Sequence, residues 1–422
     1  MYKQNIFGYS SQKQFVPDSY FKSFCSERVH GSQAEWVTCQ FCPDVSNEHL
    51  LVAGDQDGQF FIVDVRYSSI GLYDKLIKKS VRADKSCILE LEFIPKKPYM
   101  LLSLSGHANV CMWDFEKTTR VYTFKGHEES VRSLAVSPFN PDMFVTGYRD
   151  GMICEWDQRI RSDGLGYRTP ISTIVNAHSS PTFSKPYVKQ KLKISTPRTV
   201  QARVGVTSLV YLDEYTVVSG SSASFKTDIR LWDMRYKSKN RPLRVLEVPK
   251  TKNARDFGVA SLCLDRYRSS LFAACTDSSI YEYAINSSIK SPIAALSGTP
   301  KLDFNAFDVR LASSPISDHL LFGSGETYGL MWDLQERQEF VYKDELHCGY
   351  YPYPKYVFGG HQTEVKVVRI SSLGQYIVTM DDRQWRLWEP RFNSSNRSSS
   401  QSAFEEVEYF QMPETALDSI KM

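Results

Sequence analysis

The sequence lacks the features of a secreted or membrane-spanning chain. Its longest apolar runs, such as residues 50–53 and 99–102, are far shorter than the roughly 20 residues that cross a bilayer as a helix. No basic region followed by an apolar run marks the N-terminus as a signal peptide. The nine cysteines are an odd number scattered along the chain. We therefore expect the protein to work in a reducing, intracellular compartment.

The short motifs of common catalytic and cofactor sites are also missing. The sequence contains no G-x-x-x-x-G-K-[ST], no H-E-x-x-H and no G-x-S-x-G. Cys39 and Cys42 have the spacing of a metal or redox pair, but they lie in a predicted strand that runs into Pro43. Residues three apart on a strand point to opposite faces, so both sulfurs cannot reach one ion. We expect a protein that is not an enzyme and that holds no metal and no cofactor.

Neither sign of charge dominates the composition. The chain has 51 basic and 48 acidic residues, a formal net charge of +3, and 42% hydrophobic residues, as ordinary soluble domains have. This balance gives no electrostatic reason for strong binding to bare DNA or to a membrane. We therefore expect neither a membrane partner nor strong direct nucleic-acid binding.

What the sequence does contain is a unit that recurs at roughly 45 to 55 residues. The clearest copy is Met143 to Arg159, MFVTGYRDGMICEWDQR, where a Trp-Asp pair closes a strand that follows an Asp-Gly turn. The seven copies close in order at Val63-Asp64, Trp113-Asp114, Trp156-Asp157, Trp232-Asp233, Tyr283, Trp332-Asp333 and Trp388-Glu389. A four-stranded sheet has two apolar faces, so such units must stack radially. We predict an all-β, seven-bladed WD-repeat β-propeller over residues 30–391, with short flexible termini.

Four residues of the third copy occupy the positions of a hydrogen-bonded set in WD blades. They are His127, Thr146, Asp150 and Trp156. A buried indole N–H needs an acceptor, so we assign this tetrad a structural role.

Closing the ring requires an outer strand for the last blade. After Pro390 the chain becomes a Ser-rich and acidic tail, residues 392–422, which is typical of a disordered segment. We predict that the N-terminal segment, residues 1–29, supplies the strand from Tyr20 to Val29. The tail piece Phe404 to Phe410 is the alternative.

A basic insertion, residues 179–203, interrupts the fourth copy. Its prolines and polar residues indicate a loop, and it carries Lys185, Lys189, Lys191 and Lys193. These lysines could form a nuclear-import signal or contact phosphate. Basic surface loops of this kind are more often simply solvated.

Arg159 and Arg235 each stand two residues after a Trp-Asp pair, in adjacent copies. Both follow the end of a strand, so we expect them to emerge on one rim of the propeller. Arg66 keeps this spacing in the first copy, after Val63-Asp64. A planar guanidinium with five donors suits a polar protein interface better than a lysine does.

These patterns resemble the Trp-Asp-x-Arg boxes of substrate receptors in cullin-4 RING ubiquitin ligases. The likeness extends to one receptor family, the denticleless proteins. The stretches that carry it are WVTCQFCPDVSNEHLLVAGDQDGQ, RDGMICEWDQR, NAHSS before the basic insertion, VTSLVYLDEYTVVSG closing in LWDMR, and SSLFAACTDSSIYEYAINSSIKSPIAAL. The resemblance covers Trp36 to Pro390, nearly all of the predicted propeller.

The resemblance implies a nuclear, non-catalytic receptor. Asp157, Arg159, Asp233 and Arg235 would bind the damaged-DNA-binding adaptor protein, which links the receptor to cullin-4. Another surface would hold replication or cell-cycle regulators bound to the replication sliding clamp. It would need an acidic pocket for a basic residue of the substrate, whose residues the sequence does not identify. The alternative is a WD-repeat scaffold in chromatin or RNA processing with no ligase connection.

Overall fold

The structure is a computed structural model that describes residues 16–17, 19–29, 34–69, 76–126, 130–164, 166–178, 204–222, 227–236, 241–249, 256–300, 308–338, 341–342, 345–346, 349–390 and 405–409. Over these residues it is almost entirely β-structure, with two short α-helices, Ser19–Lys22 and Arg66–Ser69, and 3-10 turns at Val45–Asn47 and Leu334–Glu336. No helix in this part of the chain is long and apolar enough to span a membrane.

The first half of the chain forms an N-terminal strand and three blades. The strand is β1 (Phe24–Val29). Blade one contains β2 (Trp36–Phe41), β3 (Leu50–Asp55), β4 (Gln59–Asp64) and β5 (Ile77–Arg82); blade two contains β6 (Ile88–Ile94), β7 (Lys97–Ser105), β8 (Asn109–Asp114) and β9 (Thr119–Lys125). Blade three contains β10 (Val131–Val136), β11 (Met143–Tyr148), β12 (Ile153–Asp157) and β14 (Ser172–Ile174), and β13 (Tyr167–Arg168) pairs with β9 of blade two.

The second half forms four more blades. Blade four contains β15 (Val206–Tyr211), β16 (Thr216–Ser221), β17 (Asp228–Asp233) and β18 (Arg244–Glu247); blade five contains β19 (Val259–Leu264), β20 (Ser270–Cys275), β21 (Ile280–Ala284) and β22 (Ala294–Leu296). Blade six contains β23 (Leu311–Ser313), β24 (His319–Phe322), β25 (Gly329–Asp333) and β29 (Tyr356–Phe358). Between β25 and β29 lie a hairpin, β26 (Val341–Tyr342) and β27 (Glu345–Leu346), and β28 (Gly349–Tyr351), which joins blade five. Blade seven contains β30 (Val367–Ile370), β31 (Ile377–Met380) and β32 (Trp385–Pro390), and the tail adds β33 (Glu405–Glu406) and β34 (Glu408–Tyr409).

The blades form a closed ring. The first strands of successive blades contact one another in order, and the first strand of blade seven contacts that of blade one. Seven clusters of buried apolar side chains lie between neighbouring blades, one at each junction of the ring. The predicted all-β, seven-bladed propeller is therefore confirmed.

The middle strands of the blades are buried on both faces because neighbouring blades cover them. In β11 only Met143 is partly exposed, whereas the outer strand β5 has four exposed residues. The small residues of the repeat are needed where one blade abuts the next. A Cβ on Gly147 would lie 2.5 Å from Val206 of blade four, and a Cβ on Gly54 would lie 2.8 Å from Ile88 of blade two.

Both ends of the chain contribute to closing the ring. Strand β1 pairs antiparallel with β32 over six residues, from Phe24 opposite Pro390 to Val29 opposite Trp385. The tail strand β33 then pairs with β1, and β34 pairs with β29 of blade six. Phe21, Phe24 and Val407 are buried in the cluster between blades six and seven. The N-terminal segment thus supplies the outer strand of blade seven, and the tail lies outside it.

The Cys39 and Cys42 thiols are both buried. Burial raises the pKa of Cys39 to about 12 and that of Cys42 to about 11, which disfavours the thiolate that a metal or redox site needs. Among the described residues, no group of three or more His, Cys, Asp or Glu side chains is placed to hold a metal ion.

Candidate functional site

The third strands of the blades run toward the same end of the ring. Strands β4, β12 and β17 end at Asp64, Asp157 and Asp233, and each aspartate lies opposite the first residue of the preceding strand. The turns that follow these aspartates therefore lie on one face of the propeller. We call this face, defined by the turns after Asp64, Asp157 and Asp233, the arginine rim.

In blade three the Arg159 side chain folds back onto Asp157. The Arg159 backbone N–H donates to Asp157 Oδ1 at 2.8 Å, and Nε donates to the same oxygen at 3.0 Å. The second carboxylate oxygen, Oδ2, accepts from Nη2 at 2.7 Å. The Arg159 side chain is 63% exposed and that of Asp157 13% exposed. The guanidinium is thus held in a fixed orientation but remains accessible to a partner.

Blade four repeats this geometry. Asp233 Oδ1 accepts from the Arg235 backbone N–H at 3.1 Å and from Nε at 2.9 Å, and Oδ2 accepts from Nη2 at 2.6 Å. The guanidinium also lies 4.9 Å from the ring centroid of Tyr215, within the range of a cation–π contact. Hydrogen bonds from the arginine lower the pKa of the carboxyl in both blades, so both pairs stay charged over the neutral pH range.

Exposed apolar side chains are concentrated on the same rim. Six of them come from loops at this end of blades three, four and five: Ile160, Tyr215, Tyr236, Leu243, Tyr267 and Ile289. Tyr236 and Leu243 are the most exposed, at 65% and 64%. Protein interfaces are enriched in tyrosine and arginine, and an exposed apolar patch with a polar edge is typical of a docking surface.

The structural tetrad is only partly within the described residues. Trp156 Nε1 donates to Thr146 Oγ1 at 2.7 Å, and Asp150 accepts from the Met152 backbone N–H at 2.9 Å. His127 lies outside the described residues. Trp156 and Thr146 are fully buried, so they stabilise the blade and are not accessible to a partner.

Two further blades contain a complete set that sequence reasoning did not assign. In blade seven Trp388 Nε1 donates to Thr379 Oγ1 at 2.8 Å, His361 Nε2 lies 2.7 Å from that oxygen, and His361 Nδ1 lies 3.1 Å from Asp381. In blade four the set is His178, Ser219, Asp228 and Trp232. Both histidines stand where a blade begins, which is the signal that could have identified the two sets. Asp228 acts in blade four although the regular Asp-Gly turn is missing.

The central channel contains a cavity of about 490 Å³ with charges of both signs. Glu90 and Glu92 come from blade two, and Arg310 and Arg369 come from blades six and seven. Burial raises the pKa of Glu92 to about 7 although Arg369 opposes the shift. The cavity is therefore not a simple acidic pocket. Lys185, Lys189, Lys191 and Lys193 of the insertion lie outside the described residues.

The comparisons with known proteins agree with this architecture. The family model "WD domain, G-beta repeat" matches residues 118–157 and 352–389. The solved structure of the RRP9 WD40 repeats superposes with a TM-score of 0.59 at 14% identity, covering 87% of this chain and 98% of that one, which shows the shared fold.

Curated relatives cover most of this chain. It is 27% identical over 373 residues to Denticleless protein homolog B of Xenopus laevis, covering 86% of this chain and 49% of the relative. It is 27% identical over 388 residues to Cell division cycle protein cdt2 of Schizosaccharomyces pombe, covering 86% of this chain and 71% of the relative. The chain thus spans about half the length of the frog relative, and its resemblance to the denticleless proteins is confirmed.

Proposed function

We propose that this chain is the substrate-recognition subunit of a cullin-4 RING ubiquitin ligase. It docks on the damaged-DNA-binding adaptor protein through Asp157, Arg159, Asp233 and Arg235. The observation that carries the proposal is the matched pair of Asp–Arg contacts on adjacent blades, in a chain similar to the denticleless proteins over 86% of its length.

The chemistry of the two pairs suits docking rather than catalysis. Each arginine has five N–H donors, and the bidentate contact with aspartate uses Nε and one proton of Nη2, which leaves three donors for a partner. The aspartate fixes the guanidinium before the partner arrives, so less side-chain entropy is lost on binding. The rings of Tyr215 and Tyr236 lie 4.9 Å and 6.0 Å from the Arg235 guanidinium, and with the exposed Leu243 of the same blade they add apolar area to the rim.

The same proposal gives the chain a non-catalytic role in the nucleus. With the arginine rim bound to the adaptor, the opposite face and the channel mouth are left for the substrate. We propose that the substrates are replication or cell-cycle regulators held on the sliding clamp, and that the adaptor links them to cullin-4.

Copurification of the adaptor with the full chain tests the proposal. We expect the wild type to retain the adaptor and the Arg159→Ala, Arg235→Ala double variant to copurify with at least tenfold less of it. The melting temperature should not change, because both side chains are more than half exposed. Arg383→Ala is the control, since Arg383 is an exposed arginine at the opposite end of blade seven.

The two negative outcomes have different meanings. Adaptor retained by the double variant would contradict the assignment of the rim residues. Adaptor absent from both the wild type and the variant would contradict the receptor role and favour a WD-repeat scaffold without a ligase.

A further inference from the structure

A third Asp–Arg contact of the same geometry lies on the arginine rim in blade one, where the Trp of the repeat is replaced by Val63. Asp64 Oδ1 accepts from the Arg66 backbone N–H at 3.2 Å and from Nε at 3.0 Å, and Oδ2 accepts from Nη2 at 2.7 Å. The Arg66 side chain is 56% exposed, and that of Asp64 is fully buried. The contact therefore matches those of blades three and four in atoms, distances and exposure.

The folded-back arginine is not a general property of the rim. Asp333 of blade six also accepts from the backbone N–H two residues further on, at 3.0 Å, but that residue is Gln335. Blade two has Glu116 at the same position. The aspartate thus caps the turn with or without an arginine, and the arginine adds an oriented, exposed guanidinium to the cap. Arg391 has the same spacing after Glu389 but lies outside the described residues.

The blade-one contact differs from the others in its charge. Asp64 is also bound by Lys78, whose Nζ lies 2.7 Å from Oδ2 and whose side chain is 40% exposed. One carboxylate is thus shared by two cationic side chains. At Arg159 the second neighbour is a carboxylate, because Asp142 lies 3.7 Å from Nε, and that carboxylate is also bound by Lys97 at 2.7 Å. Blade one therefore places two cationic side chains, 56% and 40% exposed, next to each other on the rim, an arrangement that is complementary to an acidic group of a partner.

We infer that Asp64, Arg66 and Lys78 form a third docking point for the same partner, which places an acidic side chain against Arg66 and Lys78. This inference rests on the proposed function, because it assumes that the adaptor occupies the arginine rim. Blades one, three and four lie along about half of the ring. A partner that reaches all three must be a large folded protein with an acidic patch, not a short peptide.

Affinity measurements with the purified adaptor and the full chain test this inference. We expect Arg66→Ala to weaken binding roughly tenfold while Arg159 and Arg235 are intact. Arg66→Lys keeps the charge but not the bidentate geometry, so it should lose less affinity than Arg66→Ala does. Lys78→Ala should lower the association rate a few-fold and make it less sensitive to salt, which a purely structural role would not do. Arg383→Ala again controls for the loss of one positive charge.

The outcomes separate this inference from the proposed function. If the wild type binds, the Arg159→Ala, Arg235→Ala variant does not, and Arg66→Ala binds like the wild type, the third docking point is wrong and the receptor role stands. If the wild type itself does not bind the adaptor, both fail. A melting temperature lowered by Arg66→Ala would leave Lys78→Ala as the decisive variant, and an unchanged association rate in that variant would overturn the inference.

Discussion

At the scale of single residues, Thr379 links two buried polar side chains of blade seven. Its Oγ1 accepts from Trp388 Nε1 at 2.8 Å and lies 2.7 Å from His361 Nε2. With His361 Nδ1–H donating to Asp381, the threonine hydroxyl donates to Nε2, so one chain of hydrogen bonds runs from the indole to the carboxylate. All four side chains are at most 7% exposed.

We expect Thr379→Val to destabilise the protein by about 2–6 kcal/mol. Valine has the shape of threonine but leaves the Trp388 N–H and the His361 ring nitrogen unpaired in a buried site, and each costs about 1–3 kcal/mol. The measurement is the free energy of unfolding in urea. Thr379→Ser keeps the hydroxyl and is the control. A Thr379→Val variant as stable as the wild type would show that these groups do not depend on the threonine.

The lowered pKa of the Asp64 carboxyl predicts that the protein loses stability at acid pH. Burial raises its pKa, but hydrogen bonds from Arg66 and Lys78 outweigh burial and lower the pKa to about 2. An aspartate in an unfolded chain has a pKa of about 3.9. The ionised carboxylate therefore contributes stability that is fully present above about pH 4 and is lost as the pH falls toward 2.

We expect the stability difference between wild type and Asp64→Asn to shrink by about 1 kcal/mol between pH 5 and pH 2.5, a value reduced for the solvent exposure of both cations. Urea unfolding at a series of pH values measures it. Asp57→Asn, in an exposed turn, is the control for the loss of one carboxylate. A constant difference for Asp64→Asn would contradict the Arg66 and Lys78 contacts.

The candidate site was partly accessible from the sequence. The spacing of Asp157 and Arg159 fixes a turn at a strand end, and the repeat fixes which rim it occupies. Spacing alone does not determine that the arginine folds back onto the aspartate, because that depends on side-chain rotamers. The contact in blade one was harder to predict from the sequence, because Val63 replaces the Trp that identifies the repeat. Asp64 and Arg66 nevertheless keep the same geometry.

At the scale of elements, the closing strands differ in how much structure they add. Strand β1 pairs with β32 over six residues and brings Phe21 and Phe24 into the core. Strands β33 and β34 each pair over two residues, and Val407 between them is fully buried. The sequence left the N-terminal and tail segments as alternatives because both are short alternating stretches. In the structure they occupy successive positions on blades seven and six.

We expect deletion of residues 1–29 to lower the melting temperature by on the order of 10 °C, because it removes the outer strand of blade seven and exposes the cluster around Trp388 and Phe358. Deletion of residues 401–422 should lower it by a few degrees. Thermal unfolding followed by circular dichroism measures both. Equal effects of the two deletions, or none, would contradict the observed order of the strands.

A substitution in the tail separates the effect of chain length from that of packing. Val407→Asp buries a charge next to Phe21 and Phe24, so it should release the tail and reproduce the effect of the 401–422 deletion. Glu408→Ala is the matched control, because Glu408 is exposed and adjacent.

At the scale of the whole molecule, stability is shared around the ring. Each blade packs against two neighbours through an apolar cluster, so no blade can bury both faces alone. The seven tryptophans are distributed over the ring and can be used to follow its unfolding. Blade seven contains two, blade five has Tyr283 in place of the repeat Trp, and the other five blades contain one each. Tryptophan fluorescence thus samples six of the seven blades.

Ring closure predicts cooperative unfolding that depends on β1. In the wild type we expect tryptophan fluorescence and far-ultraviolet circular dichroism to give the same midpoint in urea, because opening any junction exposes two blades. Without residues 1–29, blade seven loses its outer strand while the remaining junctions persist. Trp385 and Trp388 should then become solvated first, so the fluorescence midpoint falls below the dichroism midpoint. Coincident midpoints in the deletion variant would mean that the ring stays cooperative without its closing strand, and that the clusters between blades suffice to hold it.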